Sequence, residues 1–478
     1  MRKAKERGAP LGPVANRELT TDNLCPSTKT GPPSGRTVSL FPFNPSYLST
    51  FNPHPHRVHT DLDAFPDPAD AAGGVAGRDD AARGDKLRQQ IRERFGAAPE
   101  PAAPAVVARA PGRVNLIGGH TDYSGGFVLP TTIDRATYVA VRRRSDERVR
   151  LYATAFDEEV SYGLAEGPPH EGWAAYAGGM ADALCRRERL GSGFEAIIDG
   201  DVPLGAGLSS SAALEMATAV ALDMLFADVA SGGPLAPVEM AQLGQQVEHE
   251  YAGVECGIMD QFAARLGRAG HALFLDCRSL SHEHVPLQLD EREAALVVTD
   301  TGVRRELAAS KYNERREECQ RAAAALREHT DEDIQALRDA TPDMLETHGS
   351  ALPEPLDRRA RHVVSENARV LDAKEHLDAG DLGALGNDIF ASHASLRDDY
   401  EVSSPELDAL VEAARDTDGV LGARMTGGGF GGCTVTLARR PAVERFQQHA
   451  RQRFDERFDE QEPTFYVIED NVEAGMVG

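Results

Sequence analysis

Pro203-Leu204-Gly205-Ala206-Gly207-Leu208-Ser209-Ser210-Ser211-Ala212-Ala213-Leu214 is a glycine- and serine-rich loop that runs into an alanine-rich helix. Gly205 and Gly207 lack a Cβ, so a bound group can approach their backbone N–H groups closely. The helix that follows offers unpaired N–H groups and the positive end of its dipole. Together these features make an anion site, and phosphate is the usual anion. No Gly-Lys dipeptide occurs in the chain, so the Gly-x4-Gly-Lys-Ser/Thr phosphate loop is excluded. Taken alone, the stretch also fits a tight turn capped by serine before a core helix.

The surroundings of this loop limit what it can serve. The chain has 478 residues and a formal net charge of −25. An acidic surface disfavours nonspecific nucleic-acid binding, and no apolar run is long enough to span a membrane. A phosphorylated ligand must therefore be held by local positive features or by a metal ion. Only six of the 51 basic residues are lysine. That bias fits a high-salt cytoplasm or an arginine-rich codon usage, and both readings stay open. Cys25, Cys185, Cys256, Cys277, Cys319 and Cys433 are scattered without a Cys-x-x-Cys pair, as expected of reduced thiols in a cytoplasmic protein.

Composition and periodicity divide the chain into three parts. Residues 1–84 are rich in Pro, Gly, Ser, Asn and Asp and are expected to form a disordered extension. His54, His56 and His59 lie between prolines there and read as tail, not as a metal tract. Residues 85–300 mix strands and helices around the phosphate loop. Residues 301–478 are mainly helical and close with two strands, Cys433–Ala438 and Thr464–Glu469. The pattern predicts one α+β domain followed by another.

Two further glycine-rich segments stand out. One is Pro111-Gly112-Arg113-Val114-Asn115-Leu116-Ile117-Gly118-Gly119-His120-Thr121-Asp122-Tyr123. The other is Thr426-Gly427-Gly428-Gly429-Phe430-Gly431-Gly432-Cys433, whose five glycines in six positions predict a loop that approaches a ligand. Glu248-His249-Glu250, Cys256-Gly257-Ile258-Met259-Asp260-Gln261-Phe262 and Lys311-Tyr312-Asn313-Glu314 complete the set. In this order the segments resemble the GHMP kinases, and within them the galactokinases, over about residue 85 to the end.

The resemblance implies a two-domain GHMP kinase fold. Its N-terminal domain would be similar to domain 2 of ribosomal protein S5, and its C-terminal domain would be a ferredoxin-like α+β unit. It also implies ATP as co-substrate, Mg²⁺ as cofactor and D-galactose as the sugar, phosphorylated at its anomeric hydroxyl by a cytoplasmic monomer. Gly205, Ala206, Gly207, Leu208, Ser209, Ser210 and Ser211 would cradle the ATP phosphates. Ser211 and Glu248 would hold the metal, in keeping with the few protein oxygens that Mg²⁺ takes. Asp260 would be the catalytic base, with Arg113 stabilising developing charge. An arginine beside a carboxylate favours its ionised form, so orientation and electrostatics would outweigh proton removal. Gly119, His120, Thr121, Asp122, Gly257 and Tyr312 would meet the sugar.

One position departs from the pattern. Galactokinases normally carry Glu before the histidine, at the end of the sugar that bears the 6-hydroxyl, and here the residue is Gly119. An arabinokinase or another sugar-1-kinase of the same fold is therefore an open alternative, as is a non-catalytic sensor of galactose and ATP.

Overall fold

A computed structural model describes residues 78–96, 104–230, 232–303, 308–458, 461–468 and 471–478. All of them fall in one unit, residues 66–478. The histidine-containing stretch 54–59, and residues 1–77 of the expected extension, lie outside the described residues.

The strands are β1 (Val106–Asn115), β2 (Phe127–Val128), β3 (Pro130–Arg143), β4 (Arg148–Ala153), β5 (Glu158–Gly163), β6 (Phe194–Gly200), β7 (His271–Asp276), β8 (His282–Pro286), β9 (Ala294–Asp300), β10 (Val420–Thr426), β11 (Cys433–Arg439), β12 (Thr464–Ile468) and β13 (Gly475–Met476). The helices are α1 (Arg78–Phe95), α2 (Ala174–Arg186), α3 (Ser210–Leu225), α4 (Pro237–Val247), α5 (Met259–Leu266), α6 (Ala308–Arg327), α7 (Pro342–His348), α8 (Leu356–Asp378), α9 (Leu382–Asp398), α10 (Pro405–Arg415) and α11 (Val443–Asp455).

The strands form two sheets. The first runs β13-β1-β3-β6-β4-β5, with β7, β2 and β8 attached beside β3. Period-two alternation gives it two apolar faces. Ala108, Ala110, Val139, Val141, Ala196 and Ile198 face α2 and α3. Val107, Tyr138, Ala140 and Ile197 face Leu87 and Ile91 of α1. The second sheet runs β10-β11-β9-β12. Its inner strand β9 is buried at all seven positions, and its first five residues form an unbroken apolar run. Val297 packs on Leu410 and Phe446 of α10 and α11. Leu296 and Val298 instead join a cluster with Val114, Ile117 and Leu208 from the first sheet and the phosphate loop. One apolar core thus holds the two sheets and the loop together.

Three boundaries differ from the sequence reading. Helix α1 starts at Arg78, inside the segment assigned to the extension. Its polar residues are anchored: Asp80 pairs with Arg109, and Arg83 reaches Asp199 at 3.1 Å and Asp201 at 2.8 Å. The division at 300/301 does not follow the sheets. Strand β9 lies before it yet belongs to the second sheet, and β13 lies after it yet pairs with β1. Finally, Pro111-Gly112 reads in sequence as a break after a strand at 106–110, but β1 runs through them with a bulge between Pro111 and Arg113. A Cβ on Gly112 would come within 2.7 Å of the Leu208 carbonyl, and Arg113 donates its N–H to that carbonyl at 3.1 Å. The bulge therefore pins β1 to the phosphate loop.

Candidate active site

The loop between β6 and α3 turns on Gly205 (φ 66°) and Gly207 (φ 77°). Ser209 follows in the left-handed region (φ 59°, ψ 47°) at the N-cap of α3, but its hydroxyl does not cap the helix. It donates to Asp260 Oδ2 at 2.5 Å. No side chain at the cap position therefore competes for the first amides of α3, which suits an anion. Gly427 lies backbone to backbone with Gly207: a Cβ there would come within 3.0 Å of Gly207 Cα. The glycine loop after β10 thus packs directly on the phosphate loop.

Asp260 sits in the first turn of α5. Arg113, buried on β1, donates to both its oxygens, Nε to Oδ1 at 2.8 Å and Nη2 to Oδ2 at 2.5 Å. The third donor, Nη1, reaches the Gly207 carbonyl at 2.8 Å. A bidentate pair of this kind fixes direction as well as charge. It ties β1, α5 and the phosphate loop to one point.

Two cavities meet at that point. One, of about 240 Å³, is lined by Asn115, Gly119, His120, Asp122, Glu248, Gly257 and Tyr312 among others. The other, of about 700 Å³, is lined by Gly205, Gly207, Ser209, Ser210 and Ser211 and by apolar Phe156, Trp173, Tyr176 and Leu204. Arg113, Asp260, Gly427 and Gly428 line both.

Burial sets the protonation of the smaller cavity. The Asp122 carboxyl is pushed up to about 6, first by burial and then by the nearby Asp260 charge. His120 is driven down to about 3 by burial and by the neighbouring His362, so its ring is neutral. Its Nδ1 meets the Tyr123 hydroxyl at 2.9 Å, while Nε2 is buried without a partner. Burial also raises the Tyr312 phenol, which stays protonated and can both donate and accept. Neutral donors and the carboxylates of Asp122 and Asp260 suit a polyhydroxylated ligand.

Glu248 follows α4 in a single π-turn, Glu248–Ala252. Ser211 Oγ donates to its Oε1 at 3.3 Å, and Gln261 Nε2 to its Oε2 at 2.6 Å. The same Gln261 nitrogen lies 3.1 Å from Oε2 of the fully buried Glu215. Burial, then the Asp260 charge, lifts Glu248 to about 7. Among the described residues no group of three or more His, Cys, Asp or Glu could hold a metal. The donor set is thus one carboxylate and one hydroxyl beside a phosphate site. That set fits Mg²⁺, which keeps waters and substrate oxygens, and does not fit a closed protein cage.

Three of the expected residues do not line the cavities. Thr121 is fully buried, and its hydroxyl donates to the Gly118 and Phe127 carbonyls at 3.1 and 2.7 Å, holding the loop instead of facing the cavity. Ala206 and Leu208 turn their side chains into the shared core. The sequence reading passed over Ser209 as a partner of Asp260, because a serine before a helix looks like a cap. It also passed over Trp173, Tyr176, Phe156 and Leu204, which resemble ordinary apolar positions. None of the five cysteines among the described residues forms a disulfide.

Models of the GHMP kinase N-terminal and C-terminal domains match residues 175–268 and 373–456. The fold is thus that of a GHMP kinase. A model of the galactokinase galactose-binding signature matches residues 90–143. A galactokinase of Chloroflexus aurantiacus is 49% identical over 345 residues, 72% of this chain and 86% of its own length. The human galactokinase is 43% identical over 380 residues, 77% of this chain and 91% of its own. The crystal structure of Lactococcus lactis galactokinase complexed with galactose superposes with a TM-score of 0.75 at 38% identity, covering 82% of this chain and 98% of that one. The chain belongs to the galactokinase family.

Proposed function

We propose that this enzyme transfers the γ-phosphoryl group of ATP to the anomeric hydroxyl of D-galactose. The observation that carries the reading is the meeting of the two cavities at Asp260 and Arg113. The sugar occupies the smaller cavity, with its hydroxyls on Asp122, Tyr312 and His120. ATP occupies the larger one, with its phosphates on Gly205–Ser211 and its flat base against Trp173 and Tyr176. The sugar oxygen O1 attacks the γ-phosphorus in line, the bond to the ADP oxygen breaks, and the O1 proton passes toward Asp260. Phosphoryl transfer asks mainly for positioning and charge stabilisation. Asp260, itself held by Arg113 and Ser209, aims the hydroxyl, and Arg113 balances the charge that develops. Ser211 and Glu248 would hold Mg²⁺, which supplies neutralisation of the phosphate oxygens when bound. All these residues come from one chain, which supports a monomer as the active unit. No helix among the described residues is long and apolar enough to cross a membrane.

Asp260→Asn should abolish turnover and leave galactose binding measurable by calorimetry. Undiminished turnover in that variant would defeat the mechanism. Gly119 favours a second reading, a sugar such as L-arabinose that lacks C6. The nearest acid, Glu366, does not replace the missing acceptor. It already takes the Gly118 and Gly119 N–H groups at 3.0 Å each, Ser392 at 2.5 Å and Arg369 at 2.8 Å. A panel of sugars in an ADP-release assay separates the two.

A further inference from the structure

His120 lines the smaller cavity from a left-handed backbone position, φ 60°. It is only 6% exposed, yet its Nε2 has no hydrogen-bond partner. A neutral imidazole carries one N–H donor and one bare acceptor nitrogen. What Nε2 offers a ligand therefore depends on what Nδ1 meets on the other side of the ring.

Nδ1 stands at the end of a chain of hydroxyl and thiol groups. It meets the Tyr123 hydroxyl at 2.9 Å, Tyr123 meets the Tyr400 hydroxyl at 2.5 Å, and Tyr400 meets Cys319 Sγ at 3.0 Å. Tyr400 and Cys319 are buried. Tyr123 lies in the short 122–124 turn, Tyr400 two residues past α9, and Cys319 on α6. Two phenol oxygens 2.5 Å apart need a proton between them, which leaves two arrangements. If Tyr400 donates to Tyr123, the Tyr123 proton is free for Nδ1 and the thiol gives its S–H to Tyr400. If Tyr123 donates to Tyr400, Nδ1 must carry the proton and Tyr400 must donate to sulfur. The first arrangement sets an acidic phenol on the basic ring nitrogen. The second sets the ring N–H on a weakly basic phenol oxygen and ends on a weak sulfur acceptor. The first is therefore the stronger at both ends, and it puts the ring proton on Nε2. The nearby Gly428 carbonyl also favours a proton on the ring, without hydrogen bonding to Nε2.

Resting on the sugar-cavity reading above, we propose that Tyr123 and Tyr400 are positioning residues that hold His120 as the Nε2–H tautomer, a fixed hydrogen-bond donor to one sugar oxygen. The polarity matters to the cavity. As carboxylates, Asp122 and Asp260 only accept, so they take hydroxyl protons from the sugar. An Nε2 lone pair would add one more acceptor to that wall, whereas an Nε2–H gives a sugar oxygen the donor it needs.

The full chain is labelled with ¹⁵N-histidine, and two-bond ¹H–¹⁵N correlation spectra of the sugar-free enzyme report which nitrogen carries each proton. His120→Gln identifies the signals of residue 120 by difference. The wild type is expected to carry the proton on Nε2. Tyr400→Phe should keep it there, because Tyr123 still donates to Nδ1, and Tyr123→Phe should show a mixture of the two forms. In an ADP-release assay Tyr123→Phe should raise the galactose KM about three- to tenfold, as for one misdirected neutral hydrogen bond, with kcat and the ATP KM changed less than about twofold. A wild-type proton on Nδ1 overturns the proposal, and that spectrum needs no variant to fold. A Tyr123→Phe enzyme that keeps the single tautomer and the wild-type galactose KM also overturns it. A wild type with the proton on Nε2 that binds no galactose by calorimetry would instead refute the reading of the cavity.

Discussion

Replacing Asp122 by Asn should move stability and activity in opposite directions. The Asp122 carboxyl lies in the sugar cavity, raised from 3.8 to about 6 by burial and by Asp260. Below about pH 3 it is neutral in both folded and unfolded chains, and its burial carries no ionic penalty. As pH rises through 6 the unfolded chain has already ionised and the folded one must follow, so stability is lost. At about 1.4 kcal/mol per pH unit the full penalty is about 3 kcal/mol. Solvent in the cavity reduces this to roughly 1–3 kcal/mol. Asp122→Asn should therefore raise the Tm of the unliganded enzyme by roughly 1–4 °C at pH 8 and by about half as much at pH 5. The same change removes a charged acceptor for sugar hydroxyls and should raise the galactose KM by about 10- to 100-fold. Wild-type kcat/KM for galactose should fall as pH drops through about 6, and the variant should lack that limb. Scanning calorimetry across pH, with steady-state kinetics, checks both halves. A lower Tm at pH 8 would refute the account of Asp122 as a charge held for the ligand at the expense of the fold.

Ser209→Gly should gain about 1 kcal/mol by relieving the left-handed backbone at φ 59°. It should also lose roughly tenfold in kcat, because Asp260 forfeits the hydroxyl 2.5 Å away; denaturant melts and turnover report the two effects separately. In Gly257→Ala the new Cβ would come within 2.0 Å of Asp122 Oδ2. The displaced carboxylate should raise the galactose KM at least about tenfold with ATP KM nearly unchanged. Glu248→Gln should raise the Mg²⁺ concentration for half-maximal activity more than tenfold. It should also stabilise the metal-free enzyme above about pH 7, where the native carboxyl ionises without a cation; a magnesium titration and melts with and without the ion measure this.

The site was legible where chemistry forces a residue type. Gly205, Gly207 and Gly427 must be glycine because of positive φ or close backbone approach, and such clusters are visible in sequence. Asp260, Arg113, Asp122 and Tyr312 were found through their neighbours in motifs, and the structure brings all four to one cavity. Ser209 was not, since its direction depends on a helix more than fifty residues away in sequence. Among the elements, long helices such as α3 and α8 declared themselves by apolar spacing. Strand β5 is short, polar and at the sheet edge, so its alternation is weak. Strand β10 hides behind Gly422 and Arg424, whose burial depends on tertiary packing. Helix α11 reads as a charged loop after Pro441, yet Phe446, Ala450 and Phe454 give it a buried stripe at helical spacing.

Strand β13 has a consequence for how the enzyme is made. Ala108 and Arg109 of β1 pair with Met476 and Gly475, and Val477 donates to the Val107 carbonyl. The strand that carries Arg113 is thus left with a bare margin until residues 475–477 exist. At roughly 5–20 residues per second, translation from residue 109 to residue 475 takes about 20–70 s. Through that interval the nascent chain displays an open hydrogen-bonding edge, the kind of surface that recruits other strands. Termination before residue 475 would leave every catalytic side chain encoded and the sheet beneath Arg113 unfinished.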